Sequence, residues 1–179
     1  NVLSEADRLN ERIRMLIDYA QPRAPGPPQP TDLRDVIEST RSAIAARSLR
    51  QGVELAVETP TDLPRVHTDA AYIEQCLLEL THNALEAMPH GGLLRLEIGL
   101  REAEERQIFI RVSDTGTGIP SGAHARVFEL FYTTRPEGMG MGLATVKLNL
   151  ERLGGGIELE GSSDKGTSFR IVLPVREGT

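Results

Sequence analysis

Glu79 and Asn83 are the first pair of side chains in this sequence that could do chemistry together. They stand four positions apart within an apolar repeat of helical period, so both lie on one face of the predicted helix. An amide oxygen suits Mg²⁺, which prefers oxygen ligands, and a nearby carboxylate could act as a base toward a water or a hydroxyl. The alternative is that both are ordinary polar residues at the rim of an amphipathic helix.

Asp114 is the second candidate. It ends a run of alternating apolar and polar residues, and Gly116 and Gly118 follow it, which allows a flat base to approach the backbone closely. A carboxylate here could accept a hydrogen bond from the amino group of adenine, whereas guanine carries a carbonyl oxygen at that position. Asp114 therefore predicts an adenine contact, with an ordinary Asp-x-Gly turn as the alternative.

A glycine-rich stretch from Gly138 to Gly142 precedes a predicted helix and offers backbone N–H groups and a helix N-terminus to phosphate oxygens. Such stretches are common in flexible loops. This one follows Asp114 after a loop long enough to fold over a ligand, and Gly166-Thr167 comes later in the chain. Together with the helix that carries the metal candidate, these elements predict a site for a purine nucleotide and Mg²⁺.

Apolar periodicity predicts the elements that would position these residues. Helices are expected near residues 33–51, 70–88 and 142–153, and strands at 53–57, 94–100, 108–112, 156–160 and 168–175. The long segment between residues 115 and 140 contains one predicted helical turn near 125–130. Because helices and strands cluster rather than alternate strictly, we expect an α+β two-layer sandwich with helices on one sheet face.

The composition is that of a globular protein. The 179 residues are 39% apolar and 26% charged, with a net charge of −6 and scattered basic residues, so nucleic acid is not an expected partner. The single Cys76 predicts a buried, reduced thiol. No apolar run approaches the roughly 20 residues of a membrane span, so we expect a cytoplasmic chain without direct membrane contact, compatible with a membrane anchor elsewhere in a longer parent protein.

The first 21 residues carry a heptad seam whose apolar members are Val2, Ala6, Leu9, Ile13, Leu16 and Ala20. One helix cannot bury such a seam alone. We therefore interpret residues 1–21 as a dimerisation or docking helix from a longer protein, with a helix lying on its own domain as the alternative. Five prolines within residues 22–30 then predict a stiff, extended linker.

These motifs together resemble the catalytic ATP-binding domain of sensor histidine kinases, the enzymes of two-component systems. The resemblance is carried by five ordered boxes at residues 77–87, 114–118, 127–135, 138–143 and 166–167. It covers residues 31–179, and residues 8–9 and 16–20 are similar to the second helix of the family's dimerisation domain. It implies the Bergerat ATP-binding fold of gyrase-type and Hsp90-type ATPases, a mixed and mostly antiparallel sheet with an ATP lid at about residues 115–140.

The resemblance also implies a role for individual residues. Asn83 corresponds to the Mg²⁺ ligand, Asp114 to the adenine reader and Glu79 to the catalytic base. Phe128 and Phe131 are expected to anchor the lid, with an ordinary place in the core as the alternative. The further residues that the resemblance implies in ATP binding are Gly116, Gly118, Arg135, Gly138, Gly140, Met141, Gly142, Leu143 and Thr167.

Two departures from the family pattern bear on function. Many relatives have a lysine three residues after the asparagine, where this chain has Glu86, so phosphate contact must come from Arg135, His82 or the lid amides. No histidine precedes a Glu or Asp in the manner of the family's phosphoacceptor box, and none lies in residues 1–21. The acceptor histidine is therefore expected outside this chain.

The expected function is transfer of the γ-phosphoryl group of Mg-ATP to that absent histidine, for onward signalling to a response regulator. Positioning and charge neutralisation would supply most of the catalysis. The expected partners are the acceptor-helix and dimerisation domain, in a homodimer of the full protein, and the response regulator. Two alternatives stay open: a nucleotide-binding interaction module without transfer, and a gyrase-type ATP hydrolase, for which Glu79 is also well placed.

Overall fold

A computed structural model of the chain describes residues 24–101, 106–135 and 138–175. The predicted dimerisation helix at residues 1–21 and the start of the proline-rich linker lie outside the described residues, so both stay predictions. Within the described ranges, no helix combines the length and the apolar character needed to cross a membrane.

The described residues form three α-helices, one 3-10 helix and seven strands. In chain order they are β1 (Gln29–Thr31), α1 (Leu33–Gln51), β2 (Val53–Glu58), β3 (Val66–Thr68), α2 (Ala70–Ala87), β4 (Gly92–Arg101), β5 (Gln107–Asp114), the 3-10 helix (Ser121–Arg126), α3 (Gly142–Arg152), β6 (Gly156–Ser163) and β7 (Gly166–Pro174).

Five strands form the main sheet in the order β2-β4-β5-β7-β6. β2 runs parallel to β4, and the other neighbours are antiparallel. Alternate residues of the three central strands are buried beneath the helices: Leu94, Leu96, Ile98, Ile108, Ile110, Val112, Phe169, Ile171 and Leu173. This confirms the predicted α+β sandwich with a mostly antiparallel sheet and helices on one face.

The opposite face of the sheet is polar, as the alternating strands predicted. Arg111 on β5 lies 2.5 Å from Glu97 on β4 and 2.5 Å from Glu160 on β6. Arg170 on β7 also reaches Glu160, at 2.9 Å. Because strand residues alternate between faces, these ion pairs cross the strands on the side away from the core.

α2 occupies the centre of the helical layer, in contact with α1, α3 and the sheet. Its apolar stripe includes Ile73, Leu77 and Leu80, all nearly inaccessible to solvent. Cys76 on the same helix is a buried free thiol, as predicted, and burial raises its pKa to about 12. A helix fixed by core packing on several sides gives its remaining polar residues well-defined positions.

Three features differ from the sequence interpretation. β3 was not predicted, because it has only three residues and pairs with β1 outside the main sheet. β1 includes Gln29 and Pro30 from the predicted linker, and a proline is tolerated there because β1 is an edge strand. The helical turn lies at Ser121–Arg126 rather than 125–130, directly after Pro120, whose φ of −55° suits a helical entry.

Asp69 joins the linker to the start of α2. Its Oδ1 accepts hydrogen bonds from the backbone N–H groups of Ala71 (3.0 Å) and Tyr72 (3.4 Å), which caps the helix. Its Oδ2 accepts a hydrogen bond from the N–H of Gly26 at 2.7 Å. The same carboxylate thus fixes both the helix N-terminus and the part of the predicted linker that contains Gly26.

Replacing Asp69 with alanine should lower the free energy of unfolding by about 1–2 kcal/mol, the usual effect of losing an N-cap. Chemical denaturation measures this change. Asp62→Ala, at an exposed aspartate in the loop between β2 and β3, is the control and should change stability by less than about 0.5 kcal/mol. Equal effects from the two variants would contradict the capping role.

Candidate nucleotide-binding site

A cavity of about 1050 Å³ lies between α2, the end of β5 and the lid segment. This volume is slightly above the usual range for small-molecule sites, about 300–1,000 Å³. The predicted site residues that line the cavity are Glu79, Asn83, Asp114, Gly118, Arg135, Gly138, Gly140, Met141, Gly142, Leu143 and Thr167. The structure thus brings Asn83, the metal candidate, and Asp114, the adenine candidate, to one cleft. Gly116 is the one residue of the predicted set that does not line it.

Asp114 is the last residue of β5 and lies opposite Thr167 of β7. Its Oδ1 accepts hydrogen bonds from the N–H groups of Gly116 (2.8 Å) and Thr167 (3.3 Å). Among the described residues both bonds go to this one oxygen, so Oδ2 is left for a ligand. Burial raises the pKa of Asp114, and the two N–H groups and the positive charge of Arg135 partly offset that rise.

Gly116 and Gly118, the two glycines that follow Asp114, have different structural roles. Gly116 is buried against α2, where a Cβ would stand 2.6 Å from the Ala87 carbonyl oxygen, so it acts through its N–H bond to Asp114. Gly118 has a φ of +70°, and a Cβ there would stand 1.7 Å from the carbonyl oxygen of Ser163. Only glycine satisfies both conditions at position 118, where the chain begins the lid.

The N-terminus of α3 lies against the two polar residues of α2. A Cβ at Gly142, the first residue of α3, would stand 3.0 Å from Glu79 Oε2 and 3.8 Å from Asn83 Nδ2. Met141 precedes it and is 1% exposed, and Leu143 packs against the core from the next position. A ligand phosphate near Asn83 would therefore meet the free N–H groups of the first turn of α3.

Arg135 crosses the cavity to α2. Its Nη1 donates to Asn83 Oδ1 at 3.3 Å, and its Nη2 donates to the Asn83 carbonyl oxygen at 2.9 Å. Nη1 also forms an ion pair with the carboxylate of Glu86. The residue that replaces the family lysine is thus paired with a predicted phosphate contact. We call these three interactions the Arg135 bridge.

The lid segment is held by backbone bonds and one aromatic contact. The N–H of Gly138 donates to the Arg135 carbonyl oxygen at 3.1 Å, and Gly140 accepts a bond from the N–H of Phe131 at 2.8 Å. Phe128 packs edge-on against Phe169 with ring centroids 6.0 Å apart, a contact that suits a lid anchor and an ordinary core aromatic alike. The expectation of a lid anchor is wrong for Phe131, whose backbone is held while its side chain is 61% exposed.

Ser162 on β6 is a supporting residue that the sequence reasoning missed. Its Oγ accepts a hydrogen bond from the N–H of Ile119 at 2.7 Å and lies 3.0 Å from Thr167 Oγ1. It therefore ties the start of the lid to the residue that holds Asp114. The only signal for this role is the pairing of Ser162 with Thr167 across β6 and β7, which requires the register of the folded sheet.

The cavity offers few protein oxygens to a metal ion, which suits a metal that is held mainly by the phosphates of a bound nucleotide. Within the described ranges, no group of three or more His, Cys, Asp or Glu side chains could hold a metal ion. Asn83 offers one half-buried amide oxygen beside Glu79. Mg²⁺ often takes one or two protein oxygens and completes its shell with phosphate and water, so these residues fit it.

Comparison with protein families shows the family of this chain. Residues 68–177 match the family described as histidine kinase-, DNA gyrase B-, and HSP90-like ATPase. The chain belongs to this family. The matched range contains α2, the lid and β7, so every predicted site residue of this ATP-binding domain lies within it.

Curated relatives place the chain beside sensor histidine kinases. The sensor kinase CckA of Brucella abortus is 32% identical over 188 residues, covering 97% of this chain and 20% of the relative. The sensor histidine kinase TmoS of Ectopseudomonas mendocina is 33% identical over 177 residues, covering 97% of this chain and 18% of the relative. The resemblance drawn from the motifs is confirmed. The chain spans about a fifth of the length of these two relatives.

Solved structures share the fold. Full-length ShkA in complex with AMPPNP superposes with a TM-score of 0.85 at 24% identity, covering 98% of this chain and 38% of that one. The histidine kinase ThkA in complex with the response regulator TrrA gives a TM-score of 0.80 at 22% identity, covering 98% and 49%. Both likenesses establish that this chain has the fold of those proteins.

Proposed function

We propose that this chain binds Mg-ATP and transfers its γ-phosphoryl group to a histidine carried by another part of the parent protein or by another molecule. The observation that carries the proposal is the single cavity to which α2 brings Asn83 and Glu79 and β5 brings Asp114. The relatives named sensor histidine kinases favour transfer over a gyrase-type hydrolase or a module that only binds nucleotide.

Asp114 would read the adenine ring. Its Oδ1 is already engaged by two backbone N–H groups, so Oδ2 would accept the hydrogen bond from the adenine amino group. Apolar side chains line the same cavity and would cover the faces of the base, among them Ile119, Val127 and Phe169. The combination of one fixed acceptor with an apolar surface favours adenine over guanine.

Asn83, Arg135 and the first turn of α3 would hold the triphosphate. Mg²⁺, when bound, would neutralise phosphate charge, and Asn83 Oδ1 is the protein oxygen that would hold it. Arg135 would contribute a positive charge that replaces the lysine of many relatives. The backbone N–H groups beginning at Gly142 would donate hydrogen bonds to phosphate oxygens at the helix N-terminus.

Glu79 would act as the base. The incoming imidazole nitrogen forms a bond to the γ-phosphorus in line with the bond that breaks, and ADP leaves with the electron pair of that bond. Glu79 would accept the proton that the imidazole loses. The closeness of Glu79 to Gly142 supports this role, because the carboxylate would then lie beside the helix N-terminus that is proposed to bind phosphate.

The partners follow from the proposed reaction. A response regulator would receive the phosphoryl group, supported by the ThkA complex with TrrA. The predicted seam at residues 1–21 would pair with the acceptor helix in a homodimer of the parent protein. The boundaries of that helix, the linker and the ATP-binding domain, and a cytoplasmic location, stay predictions.

The test is a transfer reaction with two components. The chain is incubated with Mg²⁺ and ATP labelled at the γ-phosphate, together with the acceptor-helix segment of the parent protein. Labelled phosphohistidine on that segment is the expected result. Nucleotide binding without label on the segment would instead indicate an interaction module, and release of free phosphate alone would indicate a hydrolase.

A further inference from the structure

The Arg135 bridge uses the same atom that the proposed function assigns to Mg-ATP. Asn83 Oδ1 accepts a hydrogen bond from Arg135 Nη1 at 3.3 Å. A guanidinium group has five N–H donors and no acceptor, so it competes with any other cation for that oxygen. A Mg²⁺ ion held by Asn83 would therefore meet the positive charge of Arg135 at the same oxygen.

Glu86 pairs with Arg135 on the same helix that carries Asn83. It stands three residues after Asn83 on α2 and forms an ion pair with Arg135 Nη1, the same nitrogen that reaches Asn83 Oδ1. The carboxylate of Glu86 attracts the guanidinium toward α2 and away from the proposed position of the phosphates. A lysine at the same position would instead repel Arg135 and attract phosphate.

We propose that Glu86 is a positioning residue that lowers the affinity for ATP by holding Arg135 on Asn83. The inference rests on the proposed function and deepens it, because it describes how the binding site is regulated from within. On ATP binding, Arg135 exchanges Asn83 Oδ1 for phosphate oxygens, and Glu86 opposes that exchange. Removing the charge of Glu86 releases Arg135 and strengthens ATP binding.

The exposure of the ion pair between Arg135 and Glu86 limits the expected change in ATP affinity. The side chains of Arg135 and Glu86 are 39% and 50% exposed, so their ion pair is screened by water. Exposed pairs of this kind correspond to about a two- to fivefold change in a binding constant. The predicted change is small enough to require a matched comparison, and its dependence on Arg135 is the decisive feature.

A double-mutant cycle tests the inference. Mg-ATP affinity is measured by calorimetry for the wild type, Glu86→Gln, Arg135→Ala and the double variant. We expect Glu86→Gln to tighten binding about two- to fivefold in the wild-type background and to have almost no effect in the Arg135→Ala background. A direct repulsion between Glu86 and the triphosphate would instead give the same tightening in both backgrounds.

Glu129→Gln is the matched control. Like Glu86, Glu129 is an exposed carboxylate paired with an arginine, Arg126 at 2.8 Å, but neither Glu129 nor Arg126 lines the cavity. Its replacement should leave the affinity unchanged. The inference is overturned if Glu86→Gln weakens binding, has no effect, acts equally in both backgrounds, or is matched by Glu129→Gln. If the wild type fails to bind ATP, the proposed function fails with it.

Discussion

Asp114→Asn should weaken ATP binding by roughly 10- to 150-fold, the change expected when a charge-assisted hydrogen bond is lost. Asparagine is isosteric, so its oxygen still accepts bonds from Gly116 and Thr167. Its amide nitrogen then takes the place of Oδ2 and presents a donor to the adenine amino group, which is also a donor. Isothermal titration calorimetry with ATP measures the loss.

The same substitution should not weaken the fold. Burial raises the pKa of Asp114, so the folded state binds this proton more tightly than the unfolded state does. The contribution of Asp114 to stability is therefore greatest at low pH and falls as the pH rises through the raised pKa. At neutral pH, Asp114→Asn removes an ionised, partly desolvated group, and we expect the melting temperature to rise on the order of 1–2 °C.

The pH dependence of ATP binding should follow from the same group. Because the ionised form is the acceptor, affinity should fall on acidification through the raised pKa, at a higher pH than an aspartate with its usual pKa would give. The Asn variant should lack this component. Asp164→Asn, in the turn between β6 and β7, is the control and should change neither affinity nor melting temperature. Loss of several degrees of melting temperature in Asp114→Asn would show that the carboxylate is structural.

Local sequence patterns predicted the helix and the strand that carry the two central residues. The buried stripe of α2 fixes its rotation, so the spacing of four between Glu79 and Asn83 sufficed to place them on one side. The alternation of β5 ends at Asp114, which located this residue at a sheet edge. In both elements, buried residues repeat with the period of the secondary structure, 3.6 residues in the helix and two in the strand. The sequence pattern alone therefore predicts which side chains face the core.

Other features depend on contacts between distant positions. Arg135 and Glu86 are 49 residues apart, and their ion pair exists only because the lid returns to α2. Ser162 lies beside Thr167 because of the β6–β7 register, and it bonds to Ile119, 43 residues earlier, which no local pattern specifies. Phe131 is 61% exposed and has a φ of 66°, whereas an aromatic residue in a sequence favours the prediction of burial. These features required the folded chain.

Asn83→Ala should reduce the rate of phosphoryl transfer at least about 100-fold, because a protein ligand that positions a phosphate-bound metal contributes several kcal/mol to the transition state. Binding supplies an independent measurement. Mg²⁺ should strengthen ATP binding to the wild type, and this enhancement should shrink in the variant. Asn83→Asp retains an oxygen at the same place and should preserve part of the enhancement.

Gln75→Ala is the control for this prediction, since Gln75 is an exposed residue of α2 two turns before Asn83 and does not line the cavity. It should leave both the transfer rate and the effect of Mg²⁺ unchanged. A full Mg²⁺ enhancement of ATP binding in Asn83→Ala would place the protein ligand elsewhere. Glu79 would then be the first residue to test, because its carboxylate lies on the same side of α2 beside Gly142.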